Sequence, residues 1–241
     1  MKRSTNPSNI FRHQLLVLLG VIALAVPTVS AGDFWQILDT QQIGAADFLR
    51  SHPKWNGQNA VIAVLDTGVD MGVAGLNALP NGKPKVIEAR DFSRQGEVAL
   101  ADATAVTVEG QTYWEVEAGK VRGLKSLPTQ PIDGVWRLGF LDEARFKNSA
   151  VKDINDNGNR SDQFAILSAK TKDGSYIAYV DRDGNHDFTG ETPFKNYHVA
   201  QQSFEFTRID PKAKRSALTY ALHIEDEGLT VTVHFDDGSH G

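Results

Sequence analysis

The most constraining feature of this 241-residue sequence is an unbroken apolar run at residues 60–65, which ends at the carboxylate of Asp66. Apolar residues in succession, without alternation, predict a β-strand that is buried on both faces. Such strands are typical of parallel sheets in α/β proteins. Thr67 and Gly68 then turn the chain at the carboxyl end of this strand, where ligands and catalytic groups gather in open α/β sheets. The sequence therefore predicts an α/β domain with Asp66 as a candidate functional residue.

Composition excludes several classes of protein. The formal net charge is −5, so no basic surface indicates a nucleic-acid partner. The chain has no cysteine, which excludes a disulfide scaffold, a thiol nucleophile and thiolate metal sites. The hydrophobic share of 41% and the charged share of 23% are ordinary for a globular protein and exclude a multi-span membrane protein.

The first 31 residues have the pattern of a secretory signal peptide. Basic residues come first, an apolar run follows at 15–26, and small residues at 29–31 resemble a cleavage site after Ala31. The run is short for a bilayer core of about 30 Å, although an uncleaved anchor remains the alternative. We therefore expect an exported protein, secreted or periplasmic, that meets a membrane only through its transient signal peptide.

The remaining chain changes character near residue 93. Before it, a short helix is predicted at about 40–50 and a second strand at 85–91. After it, short β-type segments alternate with turns rich in Gly, Asp and Asn, and no helical periodicity lasts. The clearest hairpin joins 216–224 to 229–235. Further strand candidates are 110–116, 134–138, 164–169, 175–180 and 203–208.

Two residues carry the main chemical prediction. Asp66 ends the predicted strand, and His240 stands in a Gly-rich stretch, DDGSHG, at 236–241. In a Ser-His-Asp relay, the aspartate accepts a hydrogen bond from histidine Nδ1–H while Nε2 takes the serine proton. The sequence thus supplies two of the three members of such a relay.

Residues 57–70, GQNAVIAVLDTGVD, resemble the aspartate block of the subtilases, the subtilisin-like serine peptidases. Residues 42–45 resemble the segment that leads into this block, and residues 237–241 resemble the opening of the family's histidine block. The resemblance implies a three-layer α/β domain with a parallel sheet. It also implies hydrolysis of peptide or protein substrates through an acyl-enzyme, with Asp66 and His240 as catalytic residues and no cofactor required for chemistry.

The spacing of the two blocks departs from compact subtilisins, in which roughly thirty residues separate them. Here His240 follows Asp66 by 174 residues, which is similar to the tripeptidyl-peptidase II type within the family. We therefore expect four parts. They are a signal peptide at 1–31, the N-terminal part of an incomplete catalytic domain at 32–92, a β-rich insertion at 93–235 and a truncated histidine block at 236–241.

The family's nucleophile block, Gly-Thr-Ser-Met-Ala, does not occur in the sequence. We therefore expect an N-terminal fragment that is inactive alone. The sequence gives no indication of the oligomeric state. One alternative is a non-catalytic β-rich module, with or without calcium, on a degenerate peptidase start. Another is an aspartic protease, but such a site pairs two carboxylates and Asp66-Thr67-Gly68 is the single Asp-Thr-Gly in the chain.

One loop in the insertion has the composition of a calcium site. Oxygen-bearing side chains alternate along it, as a hard cation requires; they are Asp181, Asp183, Asn185 and Asp187. The twelfth position is Thr192 rather than a bidentate Glu, and Glu191 comes one residue early. A second loop at 153–158 resembles the front half of an EF-hand but has Phe164 at its twelfth position. Asx turns between strands are the alternative for both loops.

Overall fold

The computed structural model describes residues 41–66, 78–79, 81–146, 153–209 and 218–234. The chain divides into two compact units, residues 1–63 and 64–241. The predicted signal peptide at 1–31 and the histidine block at 236–241 lie outside the described residues. Among the residues described, no helix has the length and apolar character needed to cross a bilayer.

In the first unit, helix α1 spans Ala45–Ser51 and confirms the predicted helix over most of its length. It begins after Gly44, which has a left-handed backbone conformation (φ 72°). The Phe48 ring stacks on His52 at 4.7 Å between centroids and contacts Trp55 edge-on at 6.0 Å. These ring contacts connect the helix to the segment that follows it.

The strand predicted at 59–66 does not form in this structure. No strand is present there, and the apolar side chains are exposed, Leu65 by 91% and Ile62 by 83%. The second predicted strand at 85–91 is also absent. The parallel sheet is therefore not confirmed, since every strand pair within the described ranges is antiparallel. The physical reason is that a strand buried on both faces needs neighbouring strands, and no described strand pairs with 59–66.

The region after residue 93 is β-rich, as predicted. Its described strands are β1 Glu97–Ala99, β2 Ala101–Asp102, β3 Thr104–Val108, β4 Gln111–Val116, β5 Gly119–Val121, β6 Arg137–Asp142, β7 Gln163–Lys170, β8 Tyr176–Val180, β9 Ser203–Phe204, β10 Tyr220–Glu225 and β11 Thr230–His234. Its helical elements are α2 Tyr197–Ala200 and the 3₁₀ turns Leu124–Ser126, Glu143–Phe146 and Asp226–Gly228. The hairpin predicted between 216 and 235 is confirmed as β10 and β11.

The strands form three antiparallel sheets. Their orders are β1-β11-β10-β9, β2-β6-β7-β8 and β3-β4-β5. The hairpin between β3 and β4 turns through Glu109 and Gly110, both with positive φ (50° and 80°). This is the two-residue primed turn whose twist matches that of the strands it joins.

The sheet β2-β6-β7-β8, which we call the central sheet, is covered on both faces. From β7, Phe164 and Ile166 belong to one apolar cluster, together with side chains of the sheet that contains β10 and β11. Ala165 and Leu167 point the other way into a second cluster with Val121, Leu124 and Phe188. Both faces of β7 are therefore core, which explains its unbroken apolar sequence in an antiparallel sheet.

This packing predicts a large stability cost for shortening Leu167. Its side chain is fully buried at the centre of the second cluster, so Leu167→Ala is expected to lower the free energy of unfolding by about 2–5 kcal/mol. Urea unfolding followed by circular dichroism measures the change. The control is Leu229→Ala, because Leu229 is 44% exposed. Equal destabilisation by the two substitutions would contradict the described core.

Candidate catalytic and cation-binding residues

Asp66 is exposed and follows residues 60–65, which form neither a helix nor a strand. His240, its predicted partner, lies outside the described residues. The assignment of these two residues to one catalytic relay therefore stays a prediction from the sequence.

Asp181 is placed by the central sheet. It directly follows β8, its amide donates to the carbonyl of Ala165 on β7 at 2.9 Å, and its side chain is fully buried. Its carboxylate caps the turn that follows: Oδ1 accepts the Asn185 amide at 3.2 Å and Oδ2 accepts the His186 amide at 2.9 Å. The end of β8 thus carries a carboxylate into the interior.

Asp183 and Asn185 belong to the same turn as Asp181. Asn185 Nδ2 donates to Asp183 Oδ2 at 2.8 Å, and Asn185 Oδ1 accepts the amide of Asp187 at 2.6 Å. The Asp183 carboxyl is also close enough to that of Asp181 to raise its pKa. Two carboxyl groups and one amide side chain are therefore gathered in a single turn.

Burial raises the pKa of Asp181 to about 6. The His186 amide opposes this shift, while the nearby Asp183 carboxyl adds to it. Two neighbouring carboxyl groups in a poorly solvated turn favour the retention of one proton between them. A bound cation would favour the charged form of both groups.

Asp187 faces a different partner. Its Oδ2 accepts Arg122 Nε at 2.9 Å and its Oδ1 accepts the Thr189 hydroxyl at 2.7 Å. The Thr189 hydrogen bonds and the Arg122 guanidinium lower the pKa of Asp187. The Glu191 carboxylate also has another partner, because its Oε2 accepts a hydrogen bond from Arg182 Nε at 3.0 Å. Of the four predicted ligands, the structure brings together Asp181, Asp183 and Asn185 but not Asp187.

Over the described ranges, no group of three or more histidine or acidic side chains is gathered for a metal ion. The second predicted loop, at 153–158, and the residues that follow it up to 162 are held by their own hydrogen bonds. The Asp162 carboxylate accepts the side-chain amides of Asn155 at 3.0 Å and Asn157 at 2.5 Å. The Asn155 side-chain oxygen accepts the amide of Asn157, two residues on, at 3.2 Å, as expected for an Asx-type turn. The Asp153 carboxylate accepts the Gly158 amide at 2.8 Å.

Sequence reasoning missed Glu143. This side chain is 1% exposed, and its carboxylate accepts the backbone amides of Ile154 and Asp162. Burial raises its pKa to about 7 against the effect of those two amides. No motif could have revealed it, because a single Glu after a strand has the pattern of a surface residue.

The environment of Asp181 predicts a pH dependence of stability. Its pKa is about 6 in the folded protein and near 3.9 in an unfolded chain, so the folded state binds more protons between these values. The free energy of unfolding therefore falls as pH rises through this window. Relative to Asp181→Asn, the unmodified chain should lose about 2 kcal/mol between pH 4 and pH 7 without divalent cations.

The measurement is urea unfolding of both proteins at several pH values. Titrating groups that do not interact with Asp181 act equally in both proteins and cancel in the difference, including His234, whose pKa burial lowers to about 4. The proton that Asp181 shares with Asp183 is part of the difference that is measured. Asp226→Asn, which removes an exposed carboxylate, is the control. A difference that does not change with pH would show that Asp181 is solvated in the folded protein.

The comparisons with known proteins point in one direction. No family model matches the chain. Pyrolysin of Pyrococcus furiosus is 28% identical over 225 residues, which cover 84% of this chain and 15% of pyrolysin. Tripeptidyl-peptidase 2 of Oryza sativa subsp. japonica is 39% identical over 74 residues, which cover 31% of this chain and 5% of that protein.

A solved structure agrees with these relatives. The crystal structure of tripeptidyl peptidase 2 superposes with a TM-score of 0.55 at 19% identity, over 80% of this chain and 18% of that chain. At this identity the likeness concerns the fold. The chain spans less than a sixth of the length of the curated relatives named here. Together with the aspartate block at 57–70, these findings relate the chain to the subtilase family, in its tripeptidyl-peptidase II-like form.

Proposed function

We propose that this chain is part of an exported subtilisin-like serine peptidase that hydrolyses peptide bonds in peptide or protein substrates. The observation that carries the proposal is the aspartate block at 57–70. The chain that contains it is similar to pyrolysin over 84% of this chain's own length. A signal peptide at 1–31 belongs to the same proposal and accounts for the export.

In this proposal Asp66 accepts a hydrogen bond from His240 Nδ1–H and so fixes the imidazole tautomer. Nε2 of His240 then removes the proton of a serine hydroxyl as that hydroxyl attacks the scissile carbonyl. No serine of the 241 residues lies in a Gly-Thr-Ser-Met-Ala block, so the nucleophile of this proposal comes from outside them. The 241-residue chain alone is therefore expected to hydrolyse no peptide.

The test uses the protein encoded by the longest reading frame that contains this chain. Asp66→Asn should lower kcat by about 10⁴ without unfolding the protein, because the asparagine holds the imidazole in the wrong tautomer. The matched control is Asp70→Asn, a carboxylate in the same motif that has no role in the relay. Hydrolysis of a chromogenic peptide before and after treatment with a serine-directed inhibitor gives the readout.

Two outcomes would contradict the proposal. One is an equal rate for Asp66→Asn and the unmodified protein. The other is the absence of inhibitor-sensitive hydrolysis from the complete protein, which would favour a non-catalytic β-rich module. Hydrolysis by the 241-residue chain itself would contradict the external position of the nucleophile.

We also propose that the turn after β8 binds calcium. The supporting observation is the buried Asp181 carboxylate, held against the carboxyl of Asp183 with Asn185 alongside. Carboxylate and amide oxygens are the ligands that Ca²⁺ takes, and water or backbone carbonyls complete such sites. The chemistry of the peptidase requires no metal, so calcium would act on stability alone.

Calcium should therefore raise the melting temperature of the chain. A ligand at one hundred times its dissociation constant stabilises the folded state by about 2.7 kcal/mol. Asp181→Asn and Asp183→Asn should each abolish the calcium-dependent increase. Asp173→Asn, at the exposed turn between β7 and β8, should retain it. An increase that survives Asp181→Asn, or no increase in any protein, would contradict the calcium site.

A further inference from the structure

Strand β3, Thr104–Val108, is an edge strand of the sheet β3-β4-β5. It pairs with β4 on one side and with no described strand on the other. Thr104, Ala105, Thr107 and Val108 are all exposed, and Val108 remains 50% accessible. No described element covers the second edge of this strand.

The turn fixes which backbone groups face outward. Val108 and Gln111 flank the two-residue turn and so form a hydrogen-bonded pair. Hydrogen-bonded and non-hydrogen-bonded pairs alternate along an antiparallel ladder, so Val106 also bonds inward to β4. The amides and carbonyls of Ala105 and Thr107 therefore point to the open edge. Four backbone groups are presented there.

The other sheet edges of the described chain are short or covered. Strands β2 and β9 have two residues each, and β1 and β5 have three. The longer β8 is covered by Phe194, whose backbone exchanges hydrogen bonds of 2.9 and 2.7 Å with Ala178. By contrast, β3 has five residues, TAVTV, with no charge and no proline. Natural sheets use such devices to prevent pairing between chains, and this edge lacks them.

We propose that β3 pairs with β3 of a second copy of this chain, antiparallel and centred on Val106. In this register Ala105 exchanges hydrogen bonds with Thr107 of the partner subunit, and Thr107 does the same with Ala105 of the partner subunit. Val106 faces Val106 of the partner subunit in a non-hydrogen-bonded pair. All four outward backbone groups are then satisfied, and the two three-stranded sheets join into one sheet of six strands.

The side chains favour a second copy as the occupant. Val106 lies opposite Tyr113 of β4, on the face of the sheet that does not carry Trp114. The pairing would therefore line up four side chains across the joined sheet, Tyr113 and Val106 from each copy. The Lys120 ammonium nitrogen lies over the Tyr113 ring, 4.9 Å from its centroid, so that a lysine would flank this line of side chains on each side. No charged residue faces a like charge within the five paired positions.

A foreign extended peptide is a weaker candidate. Recognition by strand addition obtains its specificity from pockets for alternate side chains. A second copy needs no such pocket, because it presents the same strand.

The expected dimer is weak. Two five-residue strands bury far less than the roughly 1,200–2,000 Å² of a standard stable interface. The pairing should therefore show at high micromolar concentration and dissociate on dilution. This inference concerns the surface of the β-rich region and does not depend on the proposed peptidase activity.

The sharpest test uses the absence of cysteine from the chain. In the proposed register, Val106→Cys places two cysteines directly opposite each other in a non-hydrogen-bonded pair, where Cα atoms lie about 4.5 Å apart. Val108→Cys places them about four residues apart along the strands, at roughly 13 Å, which is too far for a disulfide. With diamide as oxidant, V106C should form covalent dimers at least tenfold faster than V108C.

A second measurement tests the hydrogen bonds without a cross-link. Thr107→Pro removes one outward amide and none of the hydrogen bonds to β4, whereas Thr107→Val keeps that amide. Sedimentation velocity of the full chain at 5–200 µM should show dimers for the unmodified chain and T107V. At 200 µM the dimer fraction of T107P should be at least threefold lower than that of the unmodified chain. Circular dichroism confirms that each variant folds.

Two results would overturn the proposal. The first is equal cross-linking of V106C and V108C, which would indicate random collision or association elsewhere, for example through the apolar run at 15–26 that all variants share. The second is a monomer for the unmodified chain at every concentration, which would leave the edge to another occupant or to none.

Discussion

The structure depends on the burial of the central sheet on both faces. One face packs on the sheet that contains β10 and β11, and the other packs on residues 121–127 and Phe188. Because neither face of β7 meets water, Phe164–Leu167 are all fully buried. This arrangement fixes the path of β8, and the end of β8 places Asp181 in the interior. The raised pKa of Asp181 therefore follows from its position at the end of β8, where its side chain is still buried in the core.

Two apolar runs in the chain show what a sequence pattern specifies. Residues 60–65 and 164–167 are both unbroken and apolar, and burial on two faces was predicted for the first run alone. The second run lies in β7, where a strand was predicted, and is buried on both faces between antiparallel neighbours. The first run forms no strand among the described residues. The pattern thus indicates that both faces need cover, while it contains no information about the orientation or identity of the covering strands.

The β-rich region was predictable because its signals are local. Gly and Asp turns and short apolar segments predicted β4, β7, β8, β10 and β11 to within a few residues. The candidate site was less predictable because its geometry depends on distant partners. Asp187 matches a ligand pattern, yet Arg122, from the region of β5, draws its carboxylate away. Glu143 has no motif at all, and only the fold shows that it anchors the loop at 153–162.

The β-rich region and the proposed catalytic residues raise different physical questions. The region contains its own core and two buried carboxylates, so its stability follows from packing and pH. The peptidase proposal depends instead on a single contact between a carboxylate and an imidazole, Asp66 with His240. The relation to pyrolysin and to tripeptidyl-peptidase 2 concerns the chain as a whole, whereas the contact itself belongs to the proposal.

That contact can be measured most directly by NMR titration of His240 in the complete protein, assigned by comparison with His240→Gln. A carboxylate within hydrogen-bond reach favours the charged imidazole, so the pKa of His240 should lie above its ordinary value near 6.5 and fall in Asp66→Asn. An identical pKa with and without the Asp66 carboxylate would contradict the catalytic pairing.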